Sequence, residues 1–324
     1  MTQTGTGSLS SSMLAMFPGQ GSQFVGMGRD LLDNFPAAKT TFEEAEDASR
    51  LSIRKLCLEG PEDELKLTAN TQPCILTMSV AVWRVVVAET GLTPALFAGH
   101  SLGEYSALVA AGKMSLARAA WLVRRRGEAM QAAVPAGVGA MAAVMLLGDT
   151  TAATIESHCK KVSTAKSVVE VVNYNSPQQV VVAGHKTAVD TLCALLETEK
   201  IRFVMLPVSA PFHSSLMAPA RDAMKAPLEE TQIADTATSV IANYTGRIEP
   251  HYSTELLIKQ INGPVLWTQS LQAASNAGCS VFFEFGPGKV LFGLARRSLP
   301  KDAKLFHSED IKKAISDVQA LQKS

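Results

Sequence analysis

The sequence predicts an α/β protein: a large domain with a parallel sheet and a nucleophile elbow, into which a small ferredoxin-like domain is inserted. Three observations carry this. Ala98-Gly99-His100-Ser101-Leu102-Gly103-Glu104 sets a serine between two glycines, after the short apolar run 94–98 and before the apolar, helix-like run 104–111. Residues 137–206 run strand, helix, strand, strand, helix, strand, beginning at a Pro/Gly-rich break, Val134-Pro135-Ala136-Gly137-Val138-Gly139. At 324 residues and 47% hydrophobic content, the chain is long enough for one large domain or two unequal ones.

Composition narrows the function classes. Thirty basic and thirty acidic residues leave a formal charge of zero, which speaks against general binding to nucleic acid or to an anionic membrane surface. Five cysteines occur without a C-x-x-C pair, so neither a zinc site nor a disulfide framework is expected, and a reducing cytoplasm is the natural setting. Residues 1–12 are rich in Gly, Ser and Thr and lack an apolar signal core, so they read as a disordered leader. Since no charge-free apolar run reaches roughly 18 residues, no transmembrane helix is expected.

In chain order, Met13-Leu14-Ala15-Met16-Phe17 reads as the first buried strand, ended by Pro18-Gly19. The loop Gly19-Gln20-Gly21-Ser22-Gln23 is either a plain glycine-rich turn or a close backbone approach, with the Gln20 N–H donating to an oxyanion beside that of Leu102. Residues 36–67 are helical and charged, with acidic helix starts. Thr71-Gln72-Pro73 opens a long buried helix that leads to the elbow strand. After the elbow, residues 115–130 form a helix with three adjacent arginines, Arg124, Arg125 and Arg126. Neighbours on a helix lie about 100° apart, so at least one can point inward. In the small domain, strands are expected near 140–146, 168–173, 179–183 and 201–208, with helices at 150–160 and 186–200. His213 then follows in a Pro-interrupted loop before a helix, where it is either an exposed loop histidine or the base for Ser101. Residues 239–243 and 281–285 read as further strands.

A serine nucleophile needs a base to take its proton and return one to the leaving group. In a triad an acid orients the histidine. The acids between Ser101 and His213, such as Asp149, Glu156, Asp190 and Glu197, fall mostly in the small domain, so a backbone or amide carbonyl is an alternative orienting group.

These segments together resemble the malonyl-CoA:acyl carrier protein transacylases. The resemblance rests on Phe17-Pro18-Gly19-Gln20-Gly21-Ser22-Gln23, on residues 99–107, on Arg125-Arg126-Gly127 and on Pro211-Phe212-His213-Ser214-Ser215-Leu216-Met217. It extends to residues 260–267 and to Gly286-Pro287-Gly288-Lys289-Val290-Leu291. The resemblance covers Leu14 to about Arg297. It implies an α/β hydrolase-like acyltransferase domain over residues 13–136 and 207–324, with the ferredoxin-like small domain at 137–206.

The resemblance also implies roles. Ser101 would attack the malonyl thioester, His213 would act as general base and acid, and the Gln260 backbone carbonyl would orient His213. Gln20 and Leu102 would form the oxyanion hole. Arg126 would bind the malonyl carboxylate, and Phe212 and Gln72 would line the pocket. A guanidinium suits that task because it grips both carboxylate oxygens. Phe212 departs from the serine common in stand-alone bacterial members, and Gly263 from a commoner Asn. The resemblance implies no cofactor and no metal, and malonyl-CoA and holo acyl carrier protein as partners. It implies neither nucleic acid nor membrane; a monomer is the default. A basic patch for an acidic carrier is expected near the cleft, from the small domain or Arg296-Arg297. The alternatives are a serine esterase or thioesterase, a non-enzymatic carrier-binding subunit, and a trans-acting polyketide acyltransferase.

Overall fold

The structure, a computed structural model, describes residues 12–208 and 210–323. All but the last residue of the expected leader therefore lies outside the described residues.

Among the described residues, ten strands form two sheets. The larger contains β1 (Met13–Phe17), β2 (Leu96–Gly99), β7 (Ser239–Ile241), β8 (Ile248–Glu249), β9 (Val281–Glu284) and β10 (Lys304–His307), in the order β10-β9-β1-β2-β7-β8. Every pairing is parallel except β7 with the short β8. All five residues of β1 are fully buried, and their alternation explains why the run is apolar throughout. Met13, Ala15 and Phe17 pack into the core on one face, and Leu14 and Met16 into the core on the other. A strand covered on both faces has no polar side to show.

The first core face is filled by the helix Thr68–Thr90, which packs against the helices Pro36–Ser49 and Leu116–Ala132. The helix starts at Thr68, one turn before the expected opening, so Pro73 sits inside it. Proline has no N–H for the Ala69 carbonyl four residues back. Arg124 Nη1 donates to that carbonyl at 3.1 Å and replaces the missing bond. By length and composition this helix could cross a membrane, contrary to the expectation drawn from charge-free runs. Its most apolar window is 83% buried inside the protein, so core packing accounts for its composition.

The smaller sheet holds β3 (Gly139–Met145), β4 (Val169–Ser176), β5 (Gln179–His185) and β6 (Phe203–Met205), all antiparallel, in the order β4-β5-β3-β6. The helices Ala152–Val162 and Lys186–Thr198 cover one face through Ile155, Cys159, Val189 and Leu192. Met141, Ala143 and Val181 point the other way, toward the cleft between the sheets. The strand expected at 201–208 shrinks to three residues because it pairs only with β3 and lies at the sheet edge, with Val204 and Met205 exposed and Pro207 following. The small sheet is joined to the loop before the helix Trp267–Asn276, where Tyr174 N donates to Val265 O and Val265 N to Val172 O, both at 2.9 Å.

Candidate active site

The turn after β2 is forced by close packing. A Cβ on Gly99 would lie 1.9 Å from the Gly103 carbonyl oxygen, and one on Gly103 would lie 2.1 Å from that of Phe17. Only glycines let the chain fold back over the end of β1 and enter the helix Gly103–Ala110 at once. Between them Ser101 has φ 52°, a left-handed conformation that costs a non-glycine residue about 1–3 kcal/mol. Asn243, just past β7, holds the turn: its Oδ1 accepts from Ser101 N and its Nδ2 donates to Gly99 O, both at 2.6 Å.

His213 lies on the loop between β6 and the short 3-10 turn Ser215–Met217, also at positive φ, 64°. Its Nε2 is 2.7 Å from Ser101 Oγ, and its Nδ1 is 2.8 Å from the Gln260 carbonyl oxygen. A carbonyl can only accept, so the ring proton belongs on Nδ1 and Nε2 is left to accept from the serine hydroxyl. Burial and then the nearby Arg126 charge push the imidazole pKa down to about 3, against the Gln260 carbonyl, which favours the charged form. The histidine is therefore neutral, as a base must be.

The three arginines separate as helix geometry requires. Arg124 pairs with Glu128 at 2.8 Å, Arg125 stacks over the Trp121 ring at 4.3 Å, and Arg126 is buried. Arg126 Nη2 donates to Ser101 Oγ at 3.1 Å and to Gln260 Oε1 at 2.8 Å, while Nη1 donates to Gln72 Oε1 at 2.8 Å. Its Nε has no partner. Among the described residues no carboxylate oxygen lies within 4.0 Å of this guanidinium, which is held only by neutral oxygens. Such a cation is ready for an anion.

A cavity of about 310 Å³ opens above these groups, lined by Gln20, Gln72, Ser101, Leu102, Arg126, Phe212 and His213 among others. Among the described hydrogen bonds, neither the Gln20 nor the Leu102 amide finds a protein acceptor. Val290, Leu291 and Leu294 close one side from the helix Val290–Ser298, whose exposed last turn carries Arg296 and Arg297. No group of three His, Cys, Asp or Glu side chains with metal-binding geometry occurs among the described residues.

Sequence reasoning missed the polar layer beneath the site. Glu104, fully buried, accepts from Gln260 Nε2 at 2.5 Å, from Asn243 N at 3.1 Å and from the Tyr252 hydroxyl. Burial pushes its pKa up to about 7, and the three donors and Arg126 oppose the rise. His100 Nε2 lies 2.9 Å from Asn175 Oδ1, tying the serine turn to β4 of the small sheet. The available signal was an acidic residue inside a run that otherwise reads as a buried helix: a charge there needs partners.

An α/β fold with a serine on a neutral histidine, and alongside it a buried guanidinium without a carboxylate partner, fits the chemistry of an acyltransferase. The chain belongs to the acyl transferase domain family, which it matches over residues 16–317. It is 42% identical over 290 residues to the malonyl CoA-acyl carrier protein transacylase of Bacillus subtilis strain 168, covering 89% of this chain and 90% of the relative. It is 44% identical over 285 residues to the protein of the same name from Salmonella typhimurium, covering 87% and 91%. Among solved structures it is similar to FabD from Acinetobacter baumannii, with TM-score 0.90 and 40% identity over 96% of this chain and 99% of that one. It also resembles a malonyl-transacylase solved in complex with a type II PKS acyl-carrier protein, with TM-score 0.87 and 39% identity over 94% and 99%.

Proposed function

We propose that the chain transfers the malonyl group of malonyl-CoA to the phosphopantetheine thiol of an acyl carrier protein through a malonyl-serine intermediate. The observation that carries this is Arg126, a buried cation without a carboxylate partner, 3.1 Å from the hydroxyl of Ser101. An esterase acting on neutral acyl groups has no use for it.

Each residue then has a task. His213 Nε2 takes the Ser101 proton as Oγ bonds to the thioester carbon. The Gln20 and Leu102 amides receive the oxyanion, and Arg126 grips the free carboxylate. The tetrahedral intermediate collapses, the C–S bond breaks, and His213 returns the proton to the CoA sulfur. In the second half the carrier thiol gives its proton to His213, attacks the acyl carbon, and Ser101 leaves with a proton from the same imidazole. The Gln260 carbonyl holds the required tautomer throughout. Gln72 steadies the guanidinium, and Phe212 narrows the space beside the malonyl Cα, a contact worth about 1–3 kcal/mol against a methyl branch.

This reading includes a nucleophile elbow at Ser101, a hydrolase-like large domain over 13–136 and 207–324, and a ferredoxin-like domain at 137–206. The strand order β4-β5-β3-β6 with both helices on one face supports the last of these. It also includes a cytoplasmic monomer without nucleic-acid or membrane partners, whose acidic carrier is met by basic residues such as Arg296 and Arg297. Incubation with malonyl-CoA, with and without holo carrier protein, tests the function by intact mass. Malonyl-carrier should accumulate; free malonate released equally in both tubes would establish a hydrolase instead.

A further inference from the structure

Beneath the catalytic groups, the side-chain amide of Gln260 joins two buried charges that do not touch. Its Oε1 accepts from Arg126 Nη2 at 2.8 Å, and its Nε2 donates to Glu104 Oε2 at 2.5 Å and to Ser101 O at 2.9 Å. Glu104 Oε1 accepts in turn from Asn243 N, and Asn243 holds the Ser101 amide. All three groups facing Glu104 are donors: the Tyr252 hydroxyl, the Gln260 amide and the Asn243 N–H. An ionised carboxylate, with two oxygens and no proton, accepts from all of them.

We propose that Glu104 is a positioning residue for acyl transfer: its carboxylate fixes the orientation of the Gln260 amide, and thereby aims the Arg126 guanidinium at the acyl carboxylate. The proposal rests on the malonyl reading above. An amide has two ends of similar shape and opposite polarity. With a carboxylate on one side and a guanidinium on the other, a single orientation satisfies both. With a neutral amide at position 104 the Nε2 end is held by the Ser101 carbonyl alone, and a turned Gln260 presents its NH₂ to Arg126, donor against donor. The backbone carbonyl of Gln260, on which His213 rests, stays where it is. Glu104 therefore controls recognition of the charged acyl tail, while the dyad stands on a different atom of the same residue.

The test compares Glu104→Gln with wild type in the rate of acyl-enzyme formation from malonyl-CoA and from acetyl-CoA, followed by intact mass, with thermal melts on both proteins. Malonyl loading should fall by about tenfold or more, the scale of a lost hydrogen bond to a charged group, while acetyl loading changes by less than about threefold. Glu104→Asp, which restores the charge, should recover part of the malonyl preference. Equal losses for both acyl groups would mean that Glu104 only supports the fold, and unchanged rates would mean that it does nothing here; either result overturns the proposal. Should Glu104→Gln fail to fold, Tyr252→Phe removes a donor to the Glu104 carboxylate and leaves Gln260 and Arg126 in place, and the same split, smaller in size, is expected. Loss of both activities alike, or of neither, would refute the relay. A wild-type protein that loads both acyl groups equally would overturn the malonyl reading itself, a failure visible before any variant is made.

Discussion

Replacing Arg126 by alanine separates recognition from chemistry. In the intact site a malonyl carboxylate would meet a buried guanidinium already fixed by Gln72 and Gln260, with its Nε free. Two charge-assisted hydrogen bonds at about 1.5–3 kcal/mol each amount to about 3–6 kcal/mol. At 1.36 kcal/mol per decade, malonyl loading should fall by at least ~100-fold. Acetyl-CoA carries no carboxylate, and its loading loses only the contact of Nη2 with Ser101 Oγ, about 1 kcal/mol or roughly fivefold. Single-turnover acylation with each thioester, read by intact mass, gives both numbers. The same variant should shift the pH profile in a known direction. Arg126 lowers the His213 pKa, so its removal lets the imidazole protonate at higher pH, and the acidic limb of acetyl loading should move upward. Equal losses with the two substrates would refute the assignment of Arg126 to the acyl tail.

Other outcomes follow from the same geometry. Ser101→Ala should take up no acyl mass, and His213→Ala should acylate at least ~100-fold more slowly, the usual contribution of a positioned base. With His213 neutral down to about 3, wild-type acylation should show no loss from its protonation between about pH 5 and 8. A sigmoidal fall near pH 6.5 in acetyl loading, which does not call on Glu104, would mean the ring is far less buried than described. Asn243→Ala removes the acceptor of Ser101 N and the donor to Gly99 O, leaving two groups of the turn unpaired. Destabilisation of about 2–5 kcal/mol, measured by denaturant unfolding, is expected, with the acylation rate reduced as well.

How far the sequence could be read depended on where each signal lies. The serine turn, the inward arginine and the histidine announce themselves in short contiguous stretches. The absence of a nearby acid hinted that a carbonyl orients the ring, and Gln260 O is 2.8 Å from Nδ1. The start of the long helix was misread because Pro73 suggests a first turn; the compensating donor, Arg124, comes from another helix and leaves no local trace. The edge strands β8 and β10 escaped notice since one is two residues long and the other is only half-buried, without the continuous apolar run of β1. Asn243 and Tyr252 gain their importance from Glu104, well over a hundred positions away in the chain, and no pattern within either segment reveals that.

The left-handed backbone at Ser101 also limits which nucleophiles this scaffold could ever adopt. A second substituent on Cβ crowds the main chain at positive φ, so threonine is barred from the position although it would keep the hydroxyl. Cysteine, unbranched, is the exchange that remains open: the scaffold could turn into a thiol enzyme by one substitution, but not into one that works through a secondary alcohol.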